Sequence, residues 1–464
     1  MVALLVRGGR VVTPAINAVT DVLCVGEKVV ALGDRLTAPA DAEVIDATGK
    51  LVFPGFIDPH VHIHLPFMGT HAKDTYETAS TSALVGGTTT LIEMVCPARG
   101  DDPVEAYRLW KSKAEGLSAC DYTFHMGVTR FDEGTEAAIR EVVADGTASL
   151  KVFLAYPGAF GVSDDELYQT LRLAKELGVI VTAHCENASI VARRQAELLA
   201  EGKTGPEWHE PSRPVEVETE GVERLMAFAE LTGAHVYVVH TSCEPAVRAA
   251  SAAQLRGVRA WVETVIPYLT LDSTAAERSG DDGFEGAKYV MSPPIRSAEH
   301  GEALWKALAS GAVSTVATDH APFDYAGQKE MGRGDFTKIP NGIPSVEHRV
   351  DLLYTFGVAT GRIDLATFVA SASTNAAKLF GLYPRKGTIA PGSDADLVIY
   401  DPEHRGVISA ATHHMATDYS AFEGTELRGR SELVTVRGEV AVRDGEFVGR
   451  HGHGQFLARK PTHG

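Results

Sequence analysis

The stretch Pro54-Gly55-Phe56-Ile57-Asp58-Pro59-His60-Val61-His62 is an apolar run that ends in two histidines at i and i+2. In a β-strand such residues face the same side, so both imidazoles point one way. Seven further apolar, β-rich runs follow, at 88–95, 122–129, 148–155, 179–184, 235–240, 258–265 and 313–318. Alanine- and leucine-rich helical stretches, such as 164–177 and 222–231, lie between most of them. Eight βα units predict an α/β protein built as a (β/α)8 TIM barrel. In such a barrel the histidine pair stands at the C-terminal end of the first strand, the face on which barrel active sites form. An open doubly wound sheet is the alternative, but no strand-Gly-x-Gly-x-x-Gly-helix fingerprint supports it.

The two chain ends share a different texture. The first fifty or so residues are strand-like, and 4–12 reads as a hairpin. Near the other end, 395–401 reads as a strand. Residues 434–443 with Asp444-Gly445 then read as strand, turn, strand, turn. The expected organisation is a small β-sandwich formed from 1–53 and 376–448 around a barrel at 54–375. A flexible tail is expected at 449–464, whose His451, His453 and His463 could gather stray metal.

Composition narrows the function classes. The 464 residues carry a formal net charge of −18, a surface that repels nucleic acid and anionic membranes. No apolar run approaches the ~20 residues of a membrane span. The N-terminal residues turn polar too soon for a signal peptide, so a soluble cytoplasmic protein is expected. The 5 cysteines are odd in number and none forms a C-x-x-C pair, which favours reduced, buried thiols.

Further chemistry-bearing residues fall at the ends of the predicted strands. Lys151 lies inside the apolar run Ser149-Leu150-Lys151-Val152-Phe153-Leu154-Ala155-Tyr156. A lysine there is costly unless it is paired or modified. Its stem can lie along the surface with the amine in water. Alternatively, the amine has reacted with carbon dioxide to give a carbamate able to bridge two cations. His184 ends the fifth run, His240 the sixth, and Thr318-Asp319-His320 the eighth. One histidine at a strand end is usually structural; this many matches on one barrel face point to a metal centre.

With these residues the chain resembles the cyclic amidohydrolases, and most closely the hydantoinase and dihydropyrimidinase family. The resemblance rests on the opening stretch, on Lys151-Val152-Phe153-Leu154-Ala155-Tyr156, Ser292-Pro293-Pro294-Ile295-Arg296 and Thr318-Asp319-His320, and on Ile339-Pro340-Asn341-Gly342. His413-His414 and Tyr419-Ser420-Ala421-Phe422-Glu423-Gly424 add to it. It implies two zinc ions, replaceable by manganese or cobalt, with His60, His62 and Asp319 on one, His184 and His240 on the other, and a carboxylated Lys151 and a hydroxide bridging both. It implies that Tyr156, Ser292 and Asn341 contact the substrate, the last two largely through backbone groups, and that Asp319 and Tyr156 are catalytic. The implied reaction opens a 5-substituted hydantoin or a dihydropyrimidine to an N-carbamoyl amino acid. Leu65, Phe67, Phe153 and Phe160 are the expected apolar wall for the ring substituent. Many relatives carry a carboxylate near His64, where this chain has His64-Leu65-Pro66-Phe67. A homotetramer or homodimer is implied by the resemblance alone. The alternatives are an allantoinase, disfavoured by the apolar Leu65 and Phe67, and a non-catalytic scaffold relative, disfavoured because every ligand position is filled.

Overall fold

The computed structural model describes residues 3–462. Its centre is one eight-stranded parallel sheet in chain order. The strands are β1 (Phe56–Val61), β2 (Thr88–Val95), β3 (Asp121–Gly127), β4 (Ser149–Phe153), β5 (Ile180–His184), β6 (Val236–Val238), β7 (Ala260–Val265) and β8 (Thr315–Ala317). The sheet closes on itself where Val61 bridges His320, just past β8, and the His62 N–H donates to the His320 carbonyl at 2.8 Å. Every residue of β2 is buried, as a strand covered on both faces requires, and its β-branched residues suit that environment.

The expected helices surround the barrel. Asp164–Leu177 starts at Ser163, whose side chain and that of Glu166 form a capping box, and stops at Gly178 with φ 67°. The stretch expected at 222–231 is the middle of a longer helix, Val215–Thr232.

The chain ends build two further sheets. Ala3–Arg7, Asp21–Val25, Lys28–Gly33 and Glu43–Asp46 form a four-stranded sheet. Arg10–Val12, Asn17–Val19 and Leu51–Pro54 join Leu397–Val407, Glu426–Val436, Glu439–Arg443 and Glu446–Phe447 in a seven-stranded one. Leu4, Val6 and Val22 from the first pack against Val52, Leu397 and Ile399 from the second, giving the β-sandwich core. Both turns read near the C-terminus are present, at Arg437-Gly438 and Asp444-Gly445, each with two positive φ values.

Two expectations are corrected. Residues 4–12 are not a hairpin: Ala3–Arg7 and Arg10–Val12 belong to different sheets. The chain crosses between them at Gly8-Gly9, where a Cβ on Gly9 would lie 2.5 Å from Val52 Cγ2. The described residues of the expected tail, 449–462, are also not loose. Gln455 and Leu457 bond the backbone of Tyr122 at 3.0 and 2.8 Å. Arg459, buried, reaches Thr123 Oγ1 and Ser149 Oγ, both at 3.0 Å. The segment caps the N-terminal end of the barrel, where Leu457 buries its side chain and Arg459 satisfies polar groups. His463 lies outside the described residues. All five cysteines are free and buried.

Candidate active site

The C-terminal ends of β1, β4, β5, β6 and β8 bring the expected residues together. His60 Nε2 and His62 Nε2 lie 3.1 and 3.2 Å from the same Asp319 oxygen. Ligand atoms bonded at ~2.0–2.1 Å to one tetrahedral ion stand roughly 3.3 Å apart, so this trio fits a single ion. The His60 and His240 rings are 5.3 Å apart, and those of His240 and His184 4.5 Å. Lys151 is buried beside them, its amine 4.8 Å from the Phe153 ring, and no carboxylate pairs with it among the described residues. Burial pushes that amine down to about 8. Burial likewise pushes His62 down to about 4 and His240 well below the ordinary imidazole range, so both present neutral rings at pH 7. His240 Nδ1 is buried without a hydrogen-bond partner. Neutral imidazoles with free lone pairs are what metal ligation needs.

Carboxylates absent from the sequence reading orient these rings. Glu263, on β7, has Oε1 at 2.7 Å from His60 Nδ1 and accepts the His240 backbone N–H at 2.8 Å. Its other oxygen accepts from the Tyr237 hydroxyl at 2.8 Å. Glu186 holds His184 Nε2 at 2.6 Å and is itself held by Arg213 at 2.6 Å. Asp74 holds His320 Nε2 at 2.8 Å. For His60 and His184 such outer carboxylates select the tautomer that leaves the second ring nitrogen free for an ion, whereas His320 Nδ1 accepts the Ser345 N–H at 3.1 Å. Glu263 is an acid inside an apolar strand, the same anomaly that marked Lys151, and could have been found by it. Asp74 lies in a loop and carries no such signal.

A pocket opens over this centre. Leu65, Phe67, Phe153, Phe160, Tyr156, Ser292 and Asn341 line it. The Phe67 and Phe160 rings stack at 6.1 Å, and Tyr156 meets the edge of Phe67 at 5.3 Å. Tyr156 is not part of its strand, which ends at Phe153. It sits in a turn with φ 58°, and the N–H groups of Phe160 and Gly161 donate to its carbonyl at 3.1 and 2.9 Å. Asp319 and His240 also have positive φ, at 52° and 37°. Non-glycine residues held there cost about 1–3 kcal/mol each and gather at functional sites. Burial pushes the Tyr156 phenol up, opposed by the Arg213 guanidinium and by hydrogen bonds with Ser292 and Asn341.

The profile of the amidohydrolase family matches residues 51–441. A D-hydantoinase of Geobacillus stearothermophilus is 46% identical over 98% of this chain and 96% of its own length. The chain belongs to the amidohydrolase family, in its hydantoinase and dihydropyrimidinase branch. The dihydropyrimidinase of Rattus norvegicus is 39% identical over 99% of this chain and 89% of its own. Among solved structures, the D-hydantoinase (dihydropyrimidinase) of a Thermus species superposes with a TM-score of 0.96 at 61% identity, covering 99% of both chains. The L-hydantoinase (dihydropyrimidinase) of Arthrobacter aurescens is also similar, with a TM-score of 0.89 at 32% identity over 98% of this chain and 99% of its own. This amidohydrolase is therefore an enzyme acting on cyclic amides. No helix of the described residues is long and apolar enough to cross a membrane.

Proposed function

We propose that the enzyme hydrolyses the ring amide of 5-substituted hydantoins, dihydropyrimidines or both to N-carbamoyl amino acids, at a two-zinc centre bridged by a carboxylated Lys151. The observation that carries this reading is a buried, unpaired lysine amine that lines the pocket together with His62, His184, His240 and Asp319, with His60 Nε2 3.1 Å from Asp319. Burial favours the neutral amine, the form that reacts with carbon dioxide. The nitrogen then bonds the carbon of carbon dioxide and releases one proton, leaving a carbamate anion with two oxygens. His60, His62 and Asp319 would hold one ion, and His184 and His240 the other. Ions so held supply a Lewis acid and, by lowering the pKa of water toward ~7, a hydroxide at neutral pH.

The remaining work belongs to the chain. Asp319 accepts the nucleophile's proton and passes it to the ring nitrogen as the carbon–nitrogen bond breaks. The Tyr156 hydroxyl donates to the carbonyl oxygen as it gains charge. Ser292 and Asn341 hold the ring, and Leu65, Phe67, Phe153 and Phe160 receive its substituent. The apolar wall favours this reading over allantoinase, whose substrate carries a polar ureido group. The test is a substrate panel of hydantoin, 5-substituted hydantoins, dihydrouracil, allantoin and dihydroorotate, run with zinc content measured on the same preparation. Turnover confined to allantoin or dihydroorotate, or full turnover in metal-stripped protein, refutes it.

A further inference from the structure

Lys329 is a buried amine that the proposed chemistry does not use. Its side chain is fully buried, and no carboxylate pairs with it among the described residues. Burial alone pushes the amine well below the ordinary lysine range. Lysine is almost never buried this way without partners, because withdrawing its amine from water is costly. The partners here are two backbone carbonyls: Nζ donates to Val290 at 2.7 Å and to Pro340 at 2.6 Å.

Those carbonyls belong to two segments that are distant in sequence and come together beside the pocket, where Val290 and Ile339 also share a buried apolar cluster. Val290 precedes Ser292 by two residues, and Pro340 directly precedes Asn341. Ser292 and Asn341 both line the pocket. The Gly342 N–H adds a third tie, donating to the Val290 carbonyl at 3.0 Å. The Ser292 segment is also pinned from its other sides. His209 Nε2 lies 2.8 Å from the Met291 carbonyl, and the Tyr268 hydroxyl donates to the Pro293 carbonyl at 2.5 Å. A hydroxyl or apolar side chain at position 329 could not bridge both carbonyls. The compact amine, with more than one N–H on a long stem, can.

We propose that Lys329 is a positioning residue for the substrate pocket, its amine fixing the spacing between segments 290–292 and 340–341 and so the grip of Ser292 and Asn341 on the ring. This rests on the ring-opening function proposed above. It assigns Lys329 to substrate affinity and specificity, apart from the metal centre.

The test compares wild-type holoenzyme with Lys329→Met, which keeps the bulk and removes the donors, and with Lys329→Gln, which is shorter but retains amide N–H donors. In Lys329→Met, KM should rise roughly tenfold or more, because two buried carbonyls lose a donor. Its kcat should stay within about threefold, by the rule that lost ground-state binding appears in KM. Zinc per subunit should not change. Backbone hydrogen exchange should quicken in peptides covering 288–293 and 338–343 and stay constant in the β-sandwich. Lys329→Gln should fall between the two, and it carries the comparison if Lys329→Met does not fold. Unchanged KM and unchanged exchange, or a joint loss of zinc, kcat and sandwich protection, would overturn the proposal. If the wild type opens none of the rings, the proposed function falls, and the exchange measurement alone decides whether Lys329 ties the segments.

Discussion

His60 Nδ1 and Glu263 Oε1 meet at 2.7 Å inside the barrel, although they come from β1 and β7. The same oxygen takes the His240 backbone N–H at 2.8 Å. One carboxylate therefore orients an imidazole proposed for one ion and the backbone of a residue proposed for the other. Glu263→Gln keeps the shape but removes the charge and presents an amide N–H to one of three donors. Metal affinity should fall about 10- to 100-fold, read by competition with a chromogenic zinc chelator. Affinity equal to wild type would show that Glu263 plays no part in setting the His60 tautomer.

Lys151→Ala should lose most of the bound metal and all measurable turnover. Lys151→Arg should do the same, since a guanidinium does not form the carbamate. Elemental analysis of each variant checks this, and wild-type zinc in either would exclude the bridging role.

Tyr156→Phe deletes one hydroxyl from a residue held by backbone bonds to Phe160 and Gly161. Metal content and fold should be retained while kcat falls about 10²–10³-fold, or ~3–4 kcal/mol. Steady-state kinetics on the best substrate decide it. Near-normal kcat would assign the stabilisation of the oxyanion elsewhere.

Phe160 stacks on Phe67 at 6.1 Å and contacts Phe153 at 5.4 Å. Phe160→Ala should change the ranking among 5-substituted hydantoins more than the turnover of unsubstituted dihydrouracil. A uniform drop across the panel would instead indicate damage to the packing of the whole wall.

Stability depends on a buried ion cluster between barrel and sandwich. Lys386 Nζ lies 2.6 Å from Asp121, 2.6 Å from Asp396 and 3.0 Å from Asp394. Lys386→Met leaves Asp396 without a cationic partner, while Asp121 keeps Arg437 and Asp394 keeps Lys28 and Arg385, and should cost about 3–5 kcal/mol. Burial disfavours the charge on Asp394, but Lys386 and Lys28 outweigh it and hold the carboxyl at about 2. A depressed carboxylate contributes stability above its unfolded pKa of ~3.9 and loses it as pH falls toward the folded value. Burial also opposes the Lys386 charge, yet the three aspartates raise its pKa, so its contribution is complete below the unfolded value of ~10.4. The difference in Tm between wild type and Lys386→Met should be greatest between about pH 4 and 10 and shrink below that window. A difference independent of pH would point to packing alone.

The barrel was legible because its strands are short apolar runs separated by helical stretches, and each proposed metal ligand interrupts, ends or directly follows one. Period and apolar composition are local properties, so His60, His62, Lys151, His184, His240 and Asp319 stood out before any contact was known. The exchange of chain between sheets at Gly8-Gly9 was not legible, since an alternating pattern reads the same in a hairpin and in a crossover. Nor was the packed end of the chain: Leu457 and Arg459 sit in a stretch of unstructured composition and find their partners on β3 and β4. Glu186, Asp74 and Lys329 are ordinary charged residues in sequence. Their meaning arises only when folding buries them and leaves each a specific nitrogen or carbonyl to satisfy. Sequence alone thus determined the fold class and the chemistry offered to the site. The tertiary structure decided which rings are oriented, which segments are tied and how the pocket is shaped, because a buried charge takes its role from partners that only the closed barrel brings within hydrogen-bond reach.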